Sequence, residues 1–271
     1  MGTTINYNSK LGRDFKIQDL FDRGFKAVFI GIGSHRSMLM GIKGESDKIA
    51  GVFSGGIDFL RNINLGRDVR IGDNVVIVGG GNTAIDCART CLRMGASQVT
   101  IVYRRTEHEM PADPEEVEDA REEGINFYFL TQPIEILSEN GKMRGLKCMR
   151  MELGEPDSSG RRRPVPIEGS EFELPADTLI PAIGQSSDLD FLSPEDGIEI
   201  SRWGTIKVDP QTMMTTRPGV FAAGDVVSGP LTVVHGLAGG KRAAKMMHQY
   251  IKTGKCVPSD RQWMDDLIAN I

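Results

Sequence analysis

The sequence predicts an α/β protein built on a parallel sheet, with an antiparallel β-meander added to it. Three observations carry this reading. Residues 74–78 (NVVIV) are a short apolar run that meets Gly79-Gly80-Gly81, residues 82–94 then recur at helical spacing up to Gly95, and residues 98–103 (QVTIVY) form a second apolar run. Strand, glycine turn, helix and strand within about 30 residues make a βαβ unit, and the strands of such a unit are parallel. Further strand-sized runs at 126–130 and 178–183 extend the sheet. Between 134 and 173 the pattern shifts toward apolar–polar alternation, broken at Gly141 and across 154–164, and that is the signature of the meander.

The remaining elements follow in order. Residues 24–33 (GFKAVFIGIG) read as a buried strand bounded by glycines. Residues 41–66 are loop-rich around one short amphipathic piece, 56–62. Residues 114–123 (PEEVEDAREE) form a solvated helix with proline at its start and Gly124 after its end. The tip of the meander, 157–163 (DSSGRRR), reads as a charged turn rather than a docking patch. Residues 219–225 (GVFAAGD) are a strand running into Gly224-Asp225. The last helix spans 239–253, is approached through Thr232-Val233-Val234-His235, and stops at Gly254.

Composition removes several function classes. The 271 residues, 39% hydrophobic and 25% charged, are ordinary for one or two globular domains at about 150 residues each. With 32 basic against 37 acidic residues the net charge is −5, which argues against nucleic acid as a partner. No apolar run approaches the roughly 18 residues of a membrane span. No leader pattern opens the chain, and Met1-Gly2 fails the myristoylation motif because residue 6 is Asn6. Four cysteines (Cys87, Cys91, Cys148, Cys256) do not make a disulfide framework in a chain this long, so a reducing cytoplasm is expected. His35, His108, His235 and His248 lack metal-ligand spacing. Neither a Tyr-x-x-x-Lys pair nor a G-x-S-x-G nucleophile elbow is present.

The chemistry sits in the glycine turn. Gly79-Gly80-Gly81-Asn82-Thr83-Ala84 fits G-x-G-x-x-A, and it follows a strand and opens a helix, as a dinucleotide-binding turn must. Gly79 permits the turn, Gly81 lets the backbone approach a pyrophosphate, and Ala84 lets helix and strand pack closely. The second strand ends in Tyr103-Arg104-Arg105, where NAD enzymes carry an acidic residue for the ribose. Guanidinium groups there favour a 2′-phosphate, hence NADP(H). Gly31-Ile32-Gly33 follows a strand but opens no helix, so it is not a second fingerprint. Asp225, at a strand end before a helix, is placed to accept from a polyol. Cys87 and Cys91, spaced i, i+4 inside a helix, read as packing residues rather than a redox pair.

Taken together, residues 75–89 (VVIVGGGNTAIDCAR), 103–114 (YRRTEHEMPADP), 151–166 (MELGEPDSSGRRRPVP), 176–185 (ADTLIPAIGQ) and 219–229 (GVFAAGDVVSG) resemble the small (beta) subunit of glutamate synthase. They also resemble the flavin domains of dihydropyrimidine dehydrogenase and related NADPH:ferredoxin-type oxidoreductases. The resemblance implies a Rossmann-like NAD(P)H-binding domain nested in an FAD-binding domain of the thioredoxin-reductase type. Hydride would pass from nicotinamide to flavin and electrons onward to iron–sulfur clusters. By position, Gly79, Gly80, Gly81, Asn82 and Thr83 would line the pyrophosphate and Arg104 and Arg105 the 2′-phosphate. Gly33 and Gly184 would end the strands that cross between domains. Gly224 and Asp225 would hold the ribityl–phosphate region of FAD, with Thr232 and Val233 near its ring.

The cysteine-rich segment and first G-x-G-x-x-G unit with which such proteins begin have no counterpart here. On that reading the FAD-binding domain is partial, and the chain is a fragment or a split subunit that binds FAD weakly by itself. Residues 1–66 would be one piece of the FAD domain, 67–185 the NADP(H) domain, and 186–271 the other FAD piece. The expected partners are an iron–sulfur-containing or glutamate synthase large-type subunit, or a separate FAD-binding half. The alternatives are an NADP(H)-binding module inactive without such a partner, and a disulfide reductase, which the lack of C-x-x-C disfavours.

Overall fold

The computed structural model describes residues 2–156 and 160–257; the first three residues of the turn expected at 157–163 lie outside that range. In chain order the elements begin with α1 (Ile17–Asp22), β1 (Val28–Ile30), β2 (Arg36–Ser37), α2 (Gly56–Asn64), β3 (Asn74–Val78), α3 (Asn82–Arg93), β4 (Gln98–Val102) and α4 (Pro114–Glu122). They continue with β5 (Asn126–Tyr128), β6 (Thr131–Glu139), β7 (Lys142–Pro156), β8 (Arg162–Pro166), β9 (Phe172–Pro175), β10 (Thr178–Pro181) and β11 (Gln185–Ser186). Last come β12 (Val220–Ala222), α5 (Asp225–Ser228) and α6 (Val233–Thr253). The chain divides into two compact units, one made of Ser37–Gly184 and the other of Met1–Arg36 with Gln185–Ile271.

The unit formed by 37–184 has three layers. Its central sheet is parallel, in the order β10-β3-β4-β5, with Val76 opposite Leu179 on one side and Thr100 on the other. Four residues in a row are buried in each of β3, β4 and β10, because both faces of the sheet are covered. Phe59, Ile85, Cys91, Val117 and Ala120 bring α2, α3 and α4 onto Val75, Ile77 and Ile101. Leu146, Cys148 and Ile136 of the meander cover Val76, Val78 and Leu179 on the other side. The meander is antiparallel as expected: β7 pairs with β6, β8 and β9.

The boundary expected at 66/67 falls instead at 36/37, while the return at 184/185 lies one residue from the expected 185/186. The reason is packing that loop-like composition conceals. The Phe53 amide donates to the Leu179 carbonyl (2.9 Å), and Leu179 in turn donates to Gly51 (2.8 Å), so residues 51–53 continue the sheet. Phe59 is fully buried and meets Phe53 edge to face at 5.1 Å.

In the other unit β1 pairs in parallel with β12, Phe29 opposite Phe221. Ile17, Ile30, Ile206, Val220 and Val226 form its core. Met213, Met214 and Thr215 run antiparallel along the far edge of β12, through Ala222 N–H to Met213 O (3.0 Å) and Thr215 N–H to Val220 O (2.8 Å). Helix α6 starts at Val233, six residues before the expected 239. Gly236, Gly239 and Gly240 break the apolar pattern in its first turns, yet Gly239 is required there: a Cβ on it would lie 2.9 Å from the Cβ of Ala223.

Candidate nucleotide-binding site

Three successive glycines close the C-terminal end of β3, and each has a different cause. Gly79 has φ +154°, donates to Val102 O (3.0 Å), and leaves no room for a Cβ, which would sit 2.2 Å from Ala182 O. Gly80 makes way for an aromatic ring: a Cβ there would lie 2.6 Å from two ring carbons of Tyr103. Tyr103 is buried, its hydroxyl donates to Glu109 O (2.8 Å), and Gly80 accepts from the Ala112 amide (3.1 Å). Gly81 differs from both. It caps α3 with φ −98° and ψ 175°, a backbone any residue adopts, and a Cβ would have Pro111 Cγ at 3.8 Å as its one neighbour. Protein packing therefore explains Gly79 and Gly80 but leaves Gly81 open.

That opening lies at the start of a twelve-residue helix. First-turn amides have no acceptor within their own helix and carry the positive end of its dipole, so they attract an anion. Ala84 is fully buried, as close packing of α3 on β3 requires. Asn82 is exposed, and its Oδ1 accepts from the Asp113 amide (2.9 Å), tying the segment after β4 to the helix start. Thr83 is half-buried in the first turn. The roles of Tyr103, Pro111 and Asp113 were missed in the sequence. A tyrosine closing an apolar strand beside a glycine run was the one available signal for Tyr103.

At the end of β4 the two arginines part. Arg104 is exposed, whereas Arg105 is 4% exposed and its Nε donates to the Arg162 carbonyl of β8 (2.7 Å). The next turn is fixed by Glu109, whose Oε2 accepts from the Thr106 amide (3.1 Å) and from its hydroxyl. These bonds, the hydroxyl foremost, hold the Glu109 carboxyl below the usual glutamate range.

The other predicted residues lie in the second unit, except Gly184. Gly224 has φ +76°, and Asp225 opens α5 with Oδ1 accepting from the Leu231 amide (3.2 Å). Thr232 shares a 2.8 Å hydrogen bond with His235 Nδ1, and Val233 is 87% exposed. Gly33 (φ +71°) has open space where a Cβ would be, while one on Gly184 (φ +134°) would meet Met38 Sδ at 3.1 Å. Cys87 and Cys91 are fully buried, and burial pushes the Cys91 thiol up to about 12 and Cys87 higher than usual as well. Neither is a thiolate near neutral pH, so disulfide exchange has no nucleophile there. Among the described residues no group of three or more His, Cys, Asp or Glu gathers as a metal site, and no helix is long and apolar enough to cross a membrane.

Known proteins are similar to this chain along most of its length. The chain is 49% identical over 273 residues to the NADP(+)-dependent formate dehydrogenase subunit beta of Moorella thermoacetica, covering all of this chain and 38% of that protein. It is 44% identical to the NADPH-Fe(3+) oxidoreductase subunit beta of Geobacter sulfurreducens, over 100% of this chain and 43% of that one. To the glutamate synthase [NADPH] small chain of Escherichia coli it is 39% identical, over 90% and 54%. The chain thus spans about half or less of the length of these relatives. Among solved structures, the fold is similar to that of the Mycobacterium tuberculosis protein FprA (TM-score 0.70, 22% identity, 97% of this chain and 72% of that one). It is also similar to T. acidophilum thioredoxin reductase (TM-score 0.62, 23% identity, 83% and 65%). The sequence pattern of one family runs through residues 4–240, which takes in the glycine turn, Arg104 and Asp225 alike: the chain belongs to the pyridine nucleotide-disulphide oxidoreductase family.

Proposed function

We propose that this chain is the NADPH-binding part of a flavin-dependent oxidoreductase, whose electrons leave for an iron–sulfur partner. The observation that carries the reading is Gly81, a glycine whose backbone and surroundings call for no glycine unless something else occupies its open side. The amides of Gly81 and Asn82 would bind the pyrophosphate, helped by the dipole of α3, and Arg104 the 2′-phosphate. NADPH, when bound, supplies a hydride that FAD accepts. Asp225 would hold the flavin polyol through Oδ2, since Oδ1 is engaged by Leu231, with Gly33, Gly224, Thr232 and Val233 along the same ligand. The relatives named for NADP(+) or NADPH support the choice of nucleotide.

Nucleotide titration of the purified chain tests this. NADPH should bind more tightly than NADH, and Arg104→Ser should remove about 1.5–3 kcal/mol of NADPH affinity while leaving NADH nearly unchanged. Equal losses for the two nucleotides would sink the assignment. Oxidation of NADPH with added FAD separates this reading from that of a module inactive without its partner.

A further inference from the structure

A 2′-phosphate carries a charge of about −1.5 to −2, more than one guanidinium offsets. Of the two arginines at the end of β4, Arg104 is exposed, but Arg105 is 4% exposed with its Nε on a carbonyl oxygen. Where that carbonyl belongs is informative. It is Arg162, the first residue of β8, so the β7–β8 hairpin is fastened to the end of β4, where a βαβ unit reads the ribose. The hairpin is itself well held there. The Arg162 guanidinium donates to Gly154 O (3.1 Å) and to Leu153 O across the ladder, and Leu153 stands opposite Pro164. The next residue, Arg163, is exposed, and its amide nitrogen lies at most about 5 Å from Arg105 Nε, one C=O and one C–N bond beyond the 2.7 Å contact. Arg162 and Arg163 are thus brought to the predicted ribose site.

We propose that the β7–β8 hairpin completes the 2′-phosphate subsite, with Arg163 supplying the second cation beside Arg104 and Arg105 acting as the positioning residue that clasps the hairpin in place. The inference rests on the reading of the glycine turn and β4 end as an NADPH site. It assigns specificity for 2′-phosphorylated adenine nucleotides to a segment about 60 positions away in sequence from the strand end that reads the ribose.

The test uses the 271-residue chain and calorimetric titration with adenosine 2′,5′-bisphosphate and adenosine 5′-monophosphate, neither of which involves flavin. Arg163→Ser should weaken the bisphosphate by about tenfold and leave the monophosphate within about twofold, with Arg163→Lys recovering part of the loss. Arg105→Gln should lose the same discrimination, and adding Arg163→Ser to it should weaken the bisphosphate little further, because the two act through one hairpin. Unchanged bisphosphate affinity in Arg163→Ser beside a large loss in Arg104→Ser would overturn the hairpin's role and leave the NADPH site standing. Equal weakening of both ligands by Arg163→Ser would overturn it too. A parent chain with no preference for the bisphosphate would fail the NADPH reading itself.

Discussion

The two units solve the burial of a parallel sheet differently. In residues 37–184 four strands lie between a layer of helices and a layer of antiparallel strands, and β3, β4 and β10 are buried for four residues each. In the other unit the parallel part is the pair β1–β12, and Phe29 at the middle of β1 is 41% exposed. Leu231, Val233, Val234 and Leu237 on the approach to α6 and its first turns are each 47–87% exposed. Parallel strands are stable where both faces are covered, and a two-stranded pair is marginal by itself. The comparison teaches that, among the described residues, the parallel sheet buried on both faces is also the one that runs into the open glycine.

The sharpest way to break the comparison is within the glycine turn. Gly79→Ala forces a positive φ on alanine and drives a methyl to 2.2 Å from a backbone oxygen, each effect worth about 1–3 kcal/mol. Gly80→Ala meets the Tyr103 ring and should destabilise by about 1–3 kcal/mol. Gly81→Ala should cost no more than about 1 kcal/mol in thermal unfolding, the N-cap preference for glycine over alanine, yet lose nucleotide binding. A Gly81→Ala protein that unfolds early would remove the main argument for a ligand at that position.

The units should also differ in opening. Amides of β3 and β4 should exchange hydrogen at rates set by global unfolding, while those of β1 should exchange through a local opening at lower free energy. Indistinguishable protection in β1 and β3 would mean that the exposed face of β1 carries no weakness.

What was legible in the sequence follows the same division. The sequence pattern places β3 to the residue and β4, α3 and α4 to within one or two, because strong periodicity, a glycine run and a proline start are local signals. The placement of 37–66 was not, since Phe53 and Phe59 act through contacts with 179 and 75–77 that no local pattern reveals. The start of α6 is hidden by Gly236, Gly239 and Gly240, of which Gly239 is the one that the approach to Ala223 requires. At the site, the glycine motif announced itself, but the separate fates of Arg104 and Arg105 depend on where β8 folds back, and adjacent residues of one type look alike in sequence.

The cysteines give a smaller effect. Replacing Cys87 and Cys91 together by alanine removes two buried sulfurs from the core of the unit formed by 37–184 and should cost about 1–2 kcal/mol at each position. Affinity for NADPH should be unchanged, and the parent thiols should react with a thiol reagent only after denaturation, because burial keeps them protonated. Reaction of either thiol in the native chain would reopen the redox reading.

The smallest effect concerns charge between helices in the same unit. Glu123, just after α4, accepts from Arg89 of α3 at 2.6 Å and from Arg93 at 3.1 Å. The hydrogen bond from Arg89 is the main cause that holds its carboxyl below the usual glutamate range. A group whose folded value is lowered adds stability above its unfolded value, about 4.3, and loses it as the pH falls from there through the folded value. The pair is partly exposed, at 25% and 31% of the two side chains, so its contribution is under about 1 kcal/mol and screened by salt. Urea unfolding of Glu123→Gln against the parent should therefore show a small difference at neutral pH that shrinks in acid and in high salt. A difference that held constant from neutral pH into acid would mean that Glu123 acts by packing between α3 and α4, and that its charge adds nothing to stability.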